Sequence, residues 1–447
     1  MNAVEIIEKK RDKKPLTEEE IRFFVNGVCS GTIPDYQISA LLMAIYLNGM
    51  EDAEISVLTD AMAKSGDTVD LSYIDGVKVD KHSSGGVGDK VTLAVAPMVA
   101  ACGLSVAKMS GRGLGFSGGT IDKLESIKGF RTTLSEEEFV HYIKRDGIAL
   151  MGQTKNVAPA DKKLYALRDV TGTVASIPLI AASIMSKKLA CGSDSIVLDV
   201  KCGSGAFMKT FEEALELAEK MEKIGRSNDR RMTALITNMD QPLGRAVGNA
   251  LEVREAIDTL KGNGPEDFTE LCMVIGSFML VAGEKADTAE NARQMLENAI
   301  KSGSALAKFK RFVENQGGDP SVADNAELLP KAKVIREIKA PLSGIVTAIN
   351  GEMIGAASLT VKAGRITKDD EIDHSCGFVL RSKIGSTVAE GETIAQIHAP
   401  NEEAAKIAEK QLLDAYSFGE RSDIPEEKPI LLGYVDKEGI HIDKDKH

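Results

Sequence analysis

The amino-acid sequence predicts an α/β protein in which a helical N-terminal part and a β-rich C-terminal module flank a larger segment of alternating strands and helices. Residues 1–65 carry helix signals throughout. From residue 76 short apolar runs alternate with amphipathic helices, which is typical of a largely parallel sheet with helical crossovers. After about residue 335, glycine-punctuated β-type segments replace the helices. With 447 residues, the chain is long enough for two or three domains with their own cores.

The N-terminal part is predicted to contain four helices. The second begins with a capping box between Thr17 and Glu20, and Asp35 can cap a third whose apolar residues lie within 38–47. Gly66 ends the fourth helix. We expect a helical domain over residues 1–66 that also provides an oligomer interface.

The central segment falls into two α/β blocks separated by a helical insert. Apolar runs at 77–79, 91–102, 104–108 and 148–151 belong to the first block, and those at 195–200 and 233–237 belong to the second. Residues 159–190 predict two helices without an intervening strand. We therefore expect 76–152 and 193–330 to form one α/β domain, 159–191 to complete the helical domain, and 335–447 to form a C-terminal α+β module.

Glycine-rich turns dominate the first block and carry the candidate chemistry. The turns at 83–88, at Gly103 and at 110–119 interrupt apolar runs. Glycine lets backbone N–H groups approach a ligand closely, and lysine and hydroxyl side chains complete the coordination of an anion. The alternative is that the glycines only shape tight turns. The coincidence of six polar residues at these turns favours a phosphate site formed by Lys81, Ser83, Thr92, Lys108, Ser110 and Thr120.

Two better-known phosphate motifs do not fit this stretch. Gly113, Gly115 and Gly118 spell GxGxxG, but no ribose-binding acid follows at the right distance. A P-loop requires Gly-Lys followed by Ser or Thr, whereas this chain has Asp89 between Gly88 and Lys90. A dinucleotide site and a P-loop nucleotidase are therefore not expected.

Composition limits the choice of partners. The chain has 55 Lys and Arg against 67 Asp and Glu, a net charge of −12, which argues against broad nucleic-acid binding. The six cysteines form no CxxC pair, which favours free thiols in a reducing compartment. The sequence shows no apolar signal core and no apolar run of membrane-spanning length. We expect a cytoplasmic protein that attracts an anionic substrate locally.

The helical insert contains a second group of candidates. Ser183 and Lys187 are four residues apart, so they project from one face of a helix, and Arg168 can face them from the preceding helix. A solvated lysine beside a small packing serine explains the same spacing equally well.

The C-terminal module resembles the hammerhead barrel of biotinyl and lipoyl domains. The resemblance rests on the β-type runs at 338–346 and 377–395. The Met-Lys-Met hairpin tip that would carry a prosthetic group is missing, so we expect a structural module.

Four segments of the chain resemble the pyrimidine-nucleoside phosphorylases and thymidine phosphorylases. They are KHSSGGVGDK, AKMSGRGLGFSGGTIDKLES, ADKKLYALRDVTGTVASIPLIAASIMSKKLA and QPLGRAVGNALEVREAIDTLKGNGPEDFTEL. The resemblance implies a helical lobe and a large mixed or parallel-sheet α/β lobe across a cleft. It also implies reversible phosphorolysis of uridine, thymidine or both to the free base and (2-deoxy)ribose 1-phosphate, with inversion at C1′. A homodimer through the N-terminal helical domain and closure of the lobes, with hinges near 66–72, 152–158 and 191–193, are further implications.

Residue roles follow from the same resemblance. It assigns the pyrimidine to Arg168, Ser183 and Lys187, and catalysis to Lys81, His82, Arg168 and Lys187, with His82 donating a proton near O2 of the base. It assigns phosphate to Lys81, His82, Ser83, Thr92, Lys108, Met109, Ser110 and Thr120.

The chain departs from the family pattern at several positions. Phe116 and Ser117 replace a usual His-Thr, Ser84 replaces a Thr, and Cys202 replaces a Thr or Val. No organic cofactor is implied, but many members hold potassium at the positions of Gly88, Leu243, Ala246 and Glu255 together with residue 90. This chain has lysine there, and its ammonium either replaces the ion or pairs with Glu255.

Two other functions stay open at this point. An anthranilate-phosphoribosyltransferase-like activity has a related glycine, lysine and serine pattern, although it needs carboxylates that hold magnesium on a diphosphate. A nucleoside-binding protein without catalytic activity belongs to a different class. Release of uracil from uridine only when phosphate is present separates all three.

Overall fold

A computed structural model describes residues 1–113, 118–152, 156–367 and 370–442. Its helices are α1 (Ala3–Arg11), α2 (Glu18–Ser30), α3 (Asp35–Asn48), α4 (Asp52–Ala63), α5 (Val91–Ala101), α6 (Thr120–Glu125), α7 (Glu136–Asp146), α8 (Pro159–Thr171), α9 (Ile177–Ala190), α10 (Phe211–Ser227), α11 (Asn249–Leu260), α12 (Glu266–Ala282), α13 (Ala289–Lys301), α14 (Ser304–Asn315), α15 (Gly351–Thr360) and α16 (Glu402–Asp414). Its strands are β1 (Lys78–Ser83), β2 (Ser105–Ser110), β3 (Ile148–Gly152), β4 (Ser195–Cys202), β5 (Arg231–Asn238), β6 (Ala246–Val247), β7 (Val334–Lys339), β8 (Gly344–Ile349), β9 (Gly377–Leu380), β10 (Thr387–Val388), β11 (Thr393–Ala399), β12 (Tyr416–Gly419), β13 (Leu431–Asp436) and β14 (Gly439–His441). None of the described helices is long and apolar enough to span a bilayer.

The helical lobe consists of α1–α4 with α8 and α9 packed against them. Thr17 and Glu20 form the expected capping box at the start of α2, with the Thr17 N–H donating to Glu20 Oε2 at 2.7 Å. Apolar side chains from both parts of the chain share one core, for example Leu41 of α3 and Leu164 of α8. Because α8 and α9 share this core, residues 159–190 join the helical lobe, although they lie within the α/β segment of the sequence.

The α/β lobe is built on a seven-stranded sheet in the order β14-β13-β5-β4-β1-β2-β3. Strands β1 to β5 are parallel, as the alternating sequence pattern predicts. The apolar run at 91–102 is the buried helix α5 rather than another strand. A helix that is apolar on all sides is buried on all sides, and periodicity cannot distinguish it from a buried strand.

The C-terminal module contains two small sheets, with strand orders β10-β8-β12 and β6-β9-β11-β7, together with α15 and α16. Two of its connections differ from the sequence analysis. Strand β6, from the α/β segment, pairs with β9, and the last strand pair returns to the central sheet because β13 pairs antiparallel with β5. The segment 431–441 therefore extends the α/β lobe instead of belonging to a module that runs from 335 to 447. A strand pattern indicates a strand but does not identify its partner.

Candidate active site

The carboxyl ends of β1 and β2 bring the predicted phosphate residues together. These strands are parallel neighbours, and they end in Lys81-His82-Ser83 and Lys108-Met109-Ser110. A glycine-rich sequence follows each strand, and Thr92 lies in the first turn of α5 while Thr120 begins α6. Carboxyl ends of adjacent parallel strands form the usual binding crevice of an open α/β sheet.

Four buried ammonium groups at this edge share two fully buried carboxylates. Asp199 forms ion pairs with Lys81 at 3.0 Å and with Lys201 at 2.8 Å. Asp80 accepts Lys188 at 2.6 Å and lies 3.7 Å from Lys108. Only Asp89, 3.9 Å from Lys81, adds a third acid at close range to these lysines among the described residues. A buried charge needs a counter-charge, so this surplus of cations favours a bound anion.

An unpaired hydroxyl lies in the same place. Ser110 Oγ is buried and has no hydrogen-bond partner within the described parts of the chain. Lys108 and Lys188 both donate to the carbonyl oxygen of Met109, the residue before it, at 3.0 and 2.8 Å. Buried hydroxyls are normally paired, so Ser110 is available to a ligand oxygen.

The charge surplus changes two protonation equilibria. Burial lowers the pKa of Lys108 to about 7, and the positive charges of Lys188 and Lys81 act in the same direction while Asp80 opposes them. The pKa of His82 lies well below its usual value because of burial and because of four surrounding lysines, which are Lys188, Lys108, Lys187 and Lys81. His82 is therefore neutral at pH 7, and Lys108 is close to half protonated.

The turn after β2 is anchored by an acid and by the C-terminal module. Asp122 of α6 accepts the backbone N–H of Gly113 at 2.8 Å and Arg112 at 3.0 Å. Arg365, in the loop after α15, reaches the same carboxylate at 2.7 Å. The C-terminal module thus contributes directly to the position of this turn.

The predicted base-binding residues lie on α8 and α9. Lys187 donates to Ser183 Oγ at 2.9 Å on the same face of α9 and forms an ion pair with Asp161 of α8. Arg168 donates to three carbonyl oxygens, those of Thr173, Val174 and Leu179, at 3.3, 2.6 and 2.9 Å. Burial lowers the pKa of Arg168 to about 10, so it stays charged at neutral pH.

The two groups of residues meet through α9 and His82. Lys188 follows Lys187 on α9 and bonds Asp80 of β1, which places this end of the helix against the end of the strand. The charges that depress the pKa of His82 come from the predicted phosphate residues Lys81 and Lys108 and from the predicted base residue Lys187. His82 therefore lies within electrostatic range of both groups.

The sequence analysis missed five charged residues of this site: Asp80, Asp161, Lys188, Asp199 and Lys201. One signal was available, because Asp199 and Lys201 interrupt the strand at 195–202, which is otherwise mostly apolar and lies in the middle of a parallel sheet. Such strands are normally apolar throughout, so charges in one indicate a site or a buried ion pair. Asp161 gave no comparable signal.

Two of the four residues that differ from the family pattern, Ser84 and Cys202, lie within the described part of the structure. Phe116 and Ser117 lie outside the described residues. Ser84 accepts the backbone N–H of Lys201 at 2.8 Å and so ties the end of β1 to β4. Cys202 is a buried free thiol whose pKa burial raises to about 11.

The positions suggested for potassium do not fit an ion. The Lys90 ammonium donates to the carbonyl oxygens of Leu243 and Ala246 at 2.6 and 3.0 Å and pairs with Glu255 at 2.7 Å. The Gly88 carbonyl accepts the backbone N–H of Lys90 at 2.9 Å. An ion bound by these oxygens would coincide with the ammonium, so the residues present do not fit the expected potassium site.

Comparison with known proteins defines the class. The sequence matches the glycosyl transferase family helical bundle domain over residues 4–66, the glycosyl transferase family a/b domain over 75–306, and the pyrimidine nucleoside phosphorylase C-terminal domain over 345–419. The fold is similar to anthranilate phosphoribosyltransferase from Thermus thermophilus, with a TM-score of 0.58 and 18% identity over 70% of this chain and 99% of that chain. That likeness supports the fold alone. The protein is a pentosyltransferase of the glycosyl transferase type.

Curated relatives narrow the class. Pyrimidine-nucleoside phosphorylase from Staphylococcus haemolyticus (strain JCSC1435) is 59% identical over 410 residues, which cover 92% of this chain and 95% of the relative. The enzyme of the same name from Staphylococcus aureus (strain MSSA476) is 57% identical over the same shares of both chains. The chain belongs to the pyrimidine-nucleoside phosphorylase family, and the predicted family and α/β fold class are confirmed.

Proposed function

We propose that this protein catalyses the reversible phosphorolysis of uridine, thymidine or both to the free pyrimidine and (2-deoxy)ribose 1-phosphate, with inversion at C1′. The observation that carries the proposal is the contact between Lys188 of α9 and Asp80 of β1 at 2.6 Å, which brings the predicted base residues of α9 next to the surplus of cations at the strand ends, with His82 in electrostatic range of both. Such an arrangement suits a reaction in which an anion displaces a base from a sugar between the two groups.

The anion side binds inorganic phosphate. Lys81 and Lys108 supply charge, Ser110 offers its unpaired hydroxyl group, and Ser83, Thr92 and Thr120 complete the set. A phosphate held at the ends of β1 and β2 attacks C1′ from the face opposite the base. The C–N glycosidic bond breaks as the C–O bond to phosphate forms, which inverts the anomeric centre.

The base side stabilises the departing pyrimidine. Negative charge develops on the pyrimidine oxygens as the glycosidic bond breaks, and preorganised cations stabilise it. Lys187 supplies one charge, and Arg168 retains two of its five N–H donors after its three carbonyl contacts. Ser183 accepts from the N3–H of the base.

His82 donates a hydrogen bond to O2 of the base in its neutral form. Binding of a phosphate dianion beside it raises its pKa, because the anion offsets the lysines that lower it. Proton donation of this kind contributes about 10²–10⁴-fold to the rate.

The reaction requires the two lobes to approach each other. Support comes from the adjacency of the proposed hinge segments, since the Asp67 N–H donates to the Asn156 carbonyl and the Val69 N–H donates to the Ala190 carbonyl, both at 2.8 Å. The loops near 66–72, 156–158 and 191–193 therefore run side by side, where small rotations move one lobe against the other.

A homodimer in the cytoplasm is the proposed assembly. Helix α3 leaves Tyr36, Met43 and Leu47 exposed, with Tyr36 74% and Leu47 71% accessible, and their spacing puts them on one face. A second copy of the helical lobe would cover this face. Potassium takes no part in the proposed reaction, because Lys90 occupies the oxygen set suggested for it.

The test is phosphate-dependent release of a pyrimidine. Uridine, thymidine and deoxyuridine are incubated with and without phosphate, and the product sugar phosphate is identified by ³¹P and ¹H NMR, which report its anomeric configuration. Phosphate-dependent release with the α-anomer as product is expected. Anthranilate with phosphoribosyl diphosphate serves as the control for the related transferase activity. Absence of turnover with all three nucleosides, or release of the base without phosphate, would refute the proposal.

A further inference from the structure

A buried ammonium group occupies a complete cation-binding cage outside the phosphate pocket. Lys90 is 1% exposed, and its three donors meet the carbonyl oxygens of Leu243 and Ala246 and the Glu255 carboxylate at 2.6, 3.0 and 2.7 Å. The Phe268 ring closes a fourth side with its centroid 5.1 Å from Nζ. All three donors of the ammonium are therefore satisfied.

The cage is held in place by contacts that do not involve Lys90. Glu255 accepts the backbone N–H groups of Arg245 and Ala246 at 3.0 Å. Lys383, from the C-terminal module, donates to the carbonyl oxygens of Pro242 and Gly244, which alternate along the chain with a cage carbonyl. The oxygens would therefore stay close to their positions if the ammonium were absent.

We propose that the Lys90 ammonium is a built-in substitute for a bound monovalent cation, so that this protein needs no such ion and acquires a site for K⁺ or NH₄⁺ only when Lys90 is shortened. The inference concerns the cage itself and does not depend on the identity of the substrate.

The chemistry of the cage supports a monovalent occupant. Carbonyl oxygens that converge on one point replace the hydration shell of K⁺, and K⁺ and NH₄⁺ are close in size. A single carboxylate, Glu255, balances one positive charge. Burial acts to lower the pKa of Lys90, but Glu255, Glu252 and Asp267 outweigh it and raise the pKa, which keeps the ammonium charged.

An ordinary buried ion pair in the same chain shows the difference. Lys10 of α1 and Glu54 of α4 are both nearly inaccessible, and Lys10 donates to the two oxygens of Glu54 at 2.9 Å. The contacts of Lys10 with the described residues include no converging backbone carbonyls. Loss of this ammonium leaves an unpaired acid but no cage, so Lys10→Ala is the matched control.

The cage also has a position from which it can act on the phosphate pocket. Lys90 precedes α5 and follows Asp89, whose carboxylate lies 3.9 Å from Lys81. On the other side, the loop that supplies the carbonyls continues into β6, which pairs with β9 of the C-terminal module. Removal of the Lys90 ammonium should therefore lower the kcat/KM of the phosphate-dependent reaction as well as the stability of the protein.

The test compares wild type, Lys90→Ala and Lys10→Ala in KCl, NH₄Cl and tetramethylammonium chloride at equal ionic strength. We expect the unfolding midpoint of Lys90→Ala to rise by about 3 °C or more in KCl or NH₄Cl relative to tetramethylammonium chloride. The midpoints of wild type and Lys10→Ala should not differ between the salts. The kcat/KM of Lys90→Ala should recover about 10-fold or more in KCl, whereas that of wild type should change less than 2-fold.

Anomalous diffraction from crystals soaked in RbCl gives a readout independent of both activity and stability. Lys90→Ala should show a peak between Glu255 and the carbonyls of Leu243 and Ala246, and wild type should show none there. A wild-type rubidium peak in the cage, or a wild-type activity that needs K⁺, would overturn the proposal without any variant. The proposal would also be overturned if the unfolding midpoint and kcat/KM of Lys90→Ala were the same in all three salts. If the alanine variant does not fold, Lys90→Ser is used in its place.

Discussion

Lys108 is the group whose protonation should control anion binding near neutral pH. Its pKa of about 7 follows from burial and from the neighbouring Lys188 and Lys81, which Asp80 offsets only in part. An anion binds the protonated form, so the dissociation constant should rise as pH rises through 7. Sulfate is the appropriate probe, because its own charge is constant from pH 6 to pH 9.

The size of the effect follows from the pKa. The apparent dissociation constant is multiplied by one plus the ratio of neutral to charged Lys108, which is about 10-fold at pH 8 and about 100-fold at pH 9 for a pKa of about 7. Other nearby groups stay in one state over this range. The pKa of Lys188 is raised by Asp80, which outweighs burial; the pKa of Cys191 is raised by burial to about 12; and that of His82 lies well below 6.5.

The assay is isothermal titration calorimetry with sulfate at each pH and constant ionic strength. Lys108→Arg should flatten the profile because arginine stays protonated throughout. Lys81→Arg is the matched control: Asp89 and Asp199 outweigh burial and raise the pKa of Lys81, so its replacement should leave the pH slope unchanged. A wild-type dissociation constant that does not vary between pH 6 and pH 9 would refute the reasoning, and so would an unchanged slope in Lys108→Arg.

Three further predictions concern the surroundings of the same pocket. Arg365→Ala removes the contact from the C-terminal module to Asp122, so steady-state kinetics should show a KM for phosphate about 3–10-fold higher with kcat within about 2-fold. A fall in kcat with an unchanged KM for phosphate would contradict a positioning role. His82→Gln should lower kcat by about 10²–10⁴-fold yet keep the wild-type pH slope of sulfate binding; loss of that slope would identify histidine as the titrating group instead. Asp80→Asn leaves the Lys188 ammonium without its counter-charge and should reduce the free energy of unfolding, measured by denaturant titration, by about 3–5 kcal/mol. Sulfate should restore part of this loss. A reduction below about 1 kcal/mol would show that the lysine cluster does not need this carboxylate.

The fold and much of the site could be predicted from the sequence because their signals are local. Helix caps such as Thr17 with Glu20, the parallel β/α alternation, and turns that combine glycine with lysine and hydroxyl residues are all encoded within short segments. The pair Ser183 and Lys187 needed only the helical repeat of α9. Resemblance then assigned phosphate binding to the six residues that the turn chemistry had already selected, and added His82 and Met109.

Several features depended on partners that are distant in sequence. Asp199 reaches Lys81 because β1 and β4 are adjacent with a fixed register, and Asp80 reaches Lys188 because α9 packs against the strand ends. The last strand pair joined the central sheet instead of its own module for the same reason.

Lys90 shows most directly which features follow from the sequence and which follow only from the tertiary structure. The sequence identified an unexpected lysine and left two alternatives, an ammonium in place of an ion or a simple pair with Glu255. The tertiary structure shows the ammonium paired with Glu255 and also bound to the carbonyls of Leu243 and Ala246, which lie more than 150 positions away and meet it only after folding. Residue types and local turns are fixed by neighbouring amino acids, whereas the charge balance of a buried pocket is fixed only by which strands and helices pack together.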